Sequence, residues 1–181
     1  MSEPESIEER DEEIDYWWHG GFSGAFAADH KDRPLELRLF AAARKVLLAM
    51  PQDDFELFFS LRPQVVCQPL AVEGTIWRYY VPVMPGMKEA IVRVVYFTPN
   101  FGRWAAERLE RLVAHEFAHL VLGHADSPVA AGHGDIHAEE ATDRKAESWG
   151  FRGAYTRAER QRFARRHERD KRRSRRRGGT S

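Results

Sequence analysis

The sequence is poor in the features that would place a chain outside the cell or in a membrane. One cysteine, Cys67, in 181 residues excludes an internal disulfide framework. No apolar run approaches the ~20 residues that a spanning helix needs, and the longest candidate, Ala90 to Phe97, is broken by Arg93. The opening stretch MSEPESIEERDEEID is acidic where a secretory signal is basic and then apolar. These absences predict a cytoplasmic protein without a membrane segment. Internal repeats are lacking too, which excludes a solenoid.

Net charge is also missing, since 28 Lys and Arg balance 28 Asp and Glu, but the balance hides a polarity along the chain. Residues 1–15 carry Glu3, Glu5, Glu8, Glu9, Asp11, Glu12, Glu13 and Asp15 against Arg10 alone. The other end reads RAERQRFARRHERDKRRSRRRGGTS. Three regions follow: an acidic N-terminus over 1–15, disordered or a frayed helix; a folded domain over 16–154; and a basic helical or disordered tail over 155–181. The Arg-rich tail suits non-specific contact with nucleic acid, weakened by salt, and equally suits a solubilising extension. Nothing in the composition sets the oligomeric state.

Within the domain, DYWWHGGFSGAFAAD reads as an anchor that docks through Trp17, Trp18 and Phe22. PLELRLFAAARKVLLAM opens with proline, repeats apolar residues at helical spacing and stops before Pro51, which predicts a helix. FELFFSL, QVVCQPLAV, TIWRYYVPV and AIVRVVYF are rich in β-branched and aromatic residues and predict a small antiparallel or mixed sheet, the last two forming a hairpin. Cys67, within the second of these, reads as packing. A long helix is expected from about Arg103 to Leu122 before Gly123, then a second over AEEATDRKAESWG, closed by Gly150, and a last one from Thr156. The fold class is α+β.

The long helix contains VAHEFAHLVLGH. His115, Glu116 and His119 spell H-E-x-x-H, and positions i and i+4 of a helix share a face, so two imidazoles can bind one Zn²⁺ ion. Zinc in a hydrolase takes three protein ligands and keeps a fourth position for water. Glu116, beside the first ligand, would reach that water as general base. For the third ligand Glu139 stands on the following helix, four residues before Asp143, so that one carboxylate could face the metal while the other accepts the N–H of a ligating histidine.

HEFAHLVLGH followed by EEATDRKAESWGF resembles the gluzincin arrangement of HtpX-like and ImmA/IrrE-type metallopeptidases, over about residues 103 to 151. The resemblance implies a zincin-like fold and hydrolysis of peptide bonds in a protein or peptide substrate. It also implies zinc on His115, His119 and Glu139, with Glu116 as base and Asp143 in support. Two departures stand out: the membrane spans of HtpX-like enzymes are lacking, and Asp143 occupies a position where ImmA/IrrE-type proteins usually have Asn. HGHADSPVAAGHGDIH is similar to SprT-type metalloproteases, which would make His133 the third ligand and DNA-bound proteins the substrate. His124 falls one residue short of the metzincin spacing, so His124 and His137 read as ordinary polar residues at helix ends. TIWRYY would line a substrate cleft beside a sheet edge, or pack in the core. The reading from another class is a non-catalytic zinc-binding module whose basic tail recruits nucleic acid or a protein partner.

Overall fold

The computed structural model describes residues 6–19, 33–67, 74–81, 90–124 and 136–152. Its elements are α1 (Ile7–Trp17), α2 (Arg33–Ala49), α3 (Gln52–Ser60), β1 (Gln64–Cys67), β2 (Gly74–Val81), β3 (Ala90–Phe97), a 3-10 turn (Pro99–Arg103), α4 (Ala106–Val121) and α5 (Ile136–Ser148). The architecture is α+β. Phe22, His133, the tail over 155–181 and the helix expected from Thr156 lie outside the described residues. No helix among the described residues is long and apolar enough to cross a membrane.

Three expectations need correction. The acidic N-terminus is a packed helix from Ile7 onward, not a disordered or frayed segment. Ser6 and Glu9 form a reciprocal capping box, the Glu9 N–H reaching Ser6 Oγ at 3.2 Å and the Ser6 N–H reaching Glu9 Oε2 at 2.7 Å, which satisfies two N-terminal donors. Ile14, Trp17 and Trp18 are buried, and Trp17 Nε1 donates to the Pro63 carbonyl at 3.0 Å. This is the anchor expected of the two tryptophans, extended backward by a helix whose outward face is acidic.

The second correction concerns FELFFSL, which is part of α3 and not a strand. Phe55 and Phe58 are buried at a spacing of three while Leu57 is exposed, a helical period that aromatic composition masks. Asp53 and Asp54 in the first turn favour the positive end of the helix dipole.

The third concerns the sheet. Its order is β1-β3-β2. β2 and β3 pair antiparallel, with Trp77 opposite Val94, as the hairpin reading requires. β1 instead runs parallel to β3, with Val65 opposite Val95, so an entirely antiparallel sheet is excluded. Cys67 in β1 is half-buried and packs against the core.

α4 lies at the centre, packed on α2, α3, α5 and β2. Its residues Leu112 to Ala118 are all buried, because neighbours cover it on several sides. Gly123 ends it at φ 71°. α5 ends in a Schellman closure: Phe151 N–H reaches the Ala146 carbonyl at 3.1 Å, Gly150 N–H reaches that of Glu147 at 3.0 Å, and Gly150 takes φ 96°, a conformation only glycine adopts freely.

Just above that closure α5 is tied to α3. Asp54 accepts from Trp149 Nε1 at 2.8 Å and pairs with Lys145 Nζ at 2.7 Å. An Asp54→Ala variant leaves the indole N–H and the ammonium without this partner, and is expected to lose about 2 kcal/mol in urea unfolding. Unchanged stability would show that the tie does not hold α5.

Candidate metal centre

The H-E-x-x-H turn of α4 faces the first half of α5, and their side chains converge. His115 Nε2 lies 3.1 Å from His119 Nε2 and 3.1 Å from Glu139 Oε2. His119 Nε2 lies 3.6 Å from Glu139 Oε1. Three potential ligand atoms, one from each residue, fall within 4.8 Å of one another. A tetrahedral ion with bonds of about 2.0–2.1 Å separates its ligand atoms by roughly 3.3–3.4 Å. The separations between the imidazoles, and from each imidazole to a Glu139 oxygen, lie within about 0.3 Å of that value, and two imidazoles with one carboxylate are a donor set that suits Zn²⁺. The residues therefore fit such an ion.

Each histidine is also held from behind. His115 Nδ1 lies 3.0 Å from Asp143 Oδ1, and Asp143 is buried. His119 Nδ1 lies 2.9 Å from His124 Nδ1 and 3.1 Å from Thr142 Oγ1. Sequence reasoning expected Glu139 and Asp143 near the two histidines without saying which ring Asp143 would meet; the structure puts Asp143 on His115, and sequence reasoning missed Thr142 and set His124 aside. The spacing of Glu139, Thr142 and Asp143, at i, i+3 and i+4, is the signal that could have found Thr142. For His124 there was none, because Gly123 turns the chain back in a conformation that spacing does not encode. His137 is exposed on α5.

The electrostatics follow from burial. His115 is 2 % exposed and Glu116 4 %. Burial by itself drives the His115 pKa down, but hydrogen bonds to Asp143 and Glu139 and the charges of Glu116 and Glu139 overcome it and raise the pKa to about 10. In the metal-free protein His115 thus keeps both ring protons, one toward each carboxylate. A metal ion must displace the proton on Nε2. Glu116 is pushed up to about 7, first by burial and further by the negative charge of Glu139, with His115 opposing.

Comparison with known families, with curated proteins and with solved structures gave no match. The family resemblance therefore rests on the sequence motifs alone.

The Glu116 shift has a measurable sign. The unfolded chain releases the Glu116 proton near 4.5 and the folded chain near 7, so between these values the folded state binds more protons and loses stability as pH rises. Glu116→Gln removes this loss. In the metal-free protein its stability relative to wild type is expected to increase by on the order of 3 kcal/mol between about pH 4 and pH 8. A difference independent of pH would contradict the assignment.

Proposed function

We propose that the chain is a zinc-dependent metallopeptidase of zincin-like type, with His115, His119 and Glu139 as metal ligands and Glu116 as general base. The observation that carries this reading is the convergence of both His Nε2 atoms and the Glu139 carboxylate, with Glu116 buried beside them. A bound zinc ion would lower the pKa of a water ligand toward about 7 and polarise a substrate carbonyl. Glu116, buried beside the two histidines, would stand next to that water and could accept its proton and pass it to the leaving nitrogen. Asp143 fixes the His115 ring through Nδ1 and makes it a stronger donor.

β2 supports a peptide substrate. It is an edge strand of the described sheet and runs beside α4, so its backbone can bind an extended peptide as an added strand. A non-catalytic metal module leaves Glu116 unexplained. A structural ion gains nothing from a carboxylate buried at a cost next to its first ligand, whereas a hydrolase fails without it.

Two measurements test the proposal. Purified protein should hold about one zinc per chain, lost in His115→Ala/His119→Ala; equal content in both proteins would remove the site. Cleavage of an unstructured protein should fall by at least about 100-fold in Glu116→Gln while zinc stays bound, and unchanged cleavage would remove the base.

A further inference from the structure

We propose that Thr142 and His124 are positioning residues that hold His119 in the one tautomer able to bind a metal, an inference that rests on the metal-centre reading above. A neutral imidazole carries a single N–H, and only its bare nitrogen can donate to a metal. For His119 Nε2, which faces His115 and Glu139, to bind a metal, the ring proton must sit on Nδ1, where it needs an acceptor.

Thr142 is built to be that acceptor. Its hydroxyl donates to the Ala138 carbonyl one turn earlier, at 2.8 Å, which commits its only proton and leaves the oxygen lone pairs for the ring nitrogen at 3.1 Å. A threonine that bonds its own helix in this way is ordinary. What is not ordinary is that the same oxygen also faces His119 Nδ1 and, at 3.2 Å, His124 Nδ1. Thr142 is 0 % exposed, so no solvent competes for the contact. With its own proton on Nε2, His124 would offer Nδ1 as a second acceptor for the same His119 proton, 2.9 Å away.

The arrangement parallels the other histidine. One turn of α5 supplies Glu139 toward the metal position, Asp143 behind His115 and Thr142 behind His119. Both rings are therefore held through Nδ1 and offer Nε2 to a common point. The backing of His115 is anionic and that of His119 neutral, which limits the negative charge gathered in the buried site.

The test uses the full chain and Zn²⁺ itself, with affinity read by chelator competition and the ring protons by long-range ¹⁵N–¹H NMR. Thr142→Val keeps the shape and removes the acceptor; it is expected to weaken zinc binding roughly tenfold, with Thr142→Ser within about twofold of wild type. The His119 Nδ1–H signal should be present in wild type and Thr142→Ser and shifted or lost in Thr142→Val. His124→Phe, just beyond the end of α4, is expected to weaken zinc several-fold and keeps the question open to test should the valine variant fold poorly. Wild-type affinity in Thr142→Val, or a serine variant as weak as the valine one, would overturn the role of Thr142. Wild-type affinity in His124→Phe would remove His124 from it. A wild-type protein that binds no zinc overturns the metal-centre reading itself, an outcome distinct from these.

Discussion

The structure turns on a buried histidine held between two carboxylates. His115 sits 2 % exposed in the central helix, with Asp143 at 3.0 Å on one ring nitrogen and Glu139 at 3.1 Å on the other. Taking such charges out of water is expensive unless they are paired with good geometry. Here the pairing fixes how α4 meets α5. Rotating α5 by one residue would carry Asp143 off the His115 ring and leave both groups unsatisfied in the core. The apolar packing of Leu112, Phe117 and Ala146 supplies the adhesion, while the His115 contacts supply the register.

Glu116, Glu139 and Asp143 place three carboxyl groups around two histidines. In the metal-free chain the proton retained on His115 and the proton held by Glu116 up to about pH 7 offset that concentration of acid. A divalent cation at the same point would offset it more directly. Proton and metal thus compete for one place, and a lower pH favours the proton. The tie of Asp54 to Trp149 and Lys145 holds the other end of α5, so the carboxylates are presented from a helix fixed at both ends.

The central helix pair was legible because its signals are periodic. Leu109, Leu112, Val113 and Leu120 mark the buried face of α4, and H-E-x-x-H falls within it. Glu139 and Asp143 share a face at i and i+4. The elements misread lacked such a signal or carried a conflicting one. In FELFFSL the aromatic content suggested a strand, whereas the spacing of Phe55 and Phe58 is helical. In α1 the acidic composition concealed a capping box and a buried Ile14. The parallel pairing of β1 on β3 depends on how the chain returns between them, which local composition does not encode. Thr142 was hidden by its ordinariness, since a threonine inside a helix gains meaning only when another helix brings His119 and His124 to its hydroxyl.

The central claim is that His115, His119 and Glu139 share one metal ion, with Glu139 as the carboxylate ligand. A crystal structure of zinc-loaded protein, with anomalous scattering recorded on both sides of the zinc edge, tests it most directly. The account predicts a single anomalous peak about 2.0–2.2 Å from His115 Nε2, His119 Nε2 and an oxygen of Glu139. A peak in which His133 takes the third position and Glu139 turns away, or no peak beside the two histidines, would contradict it.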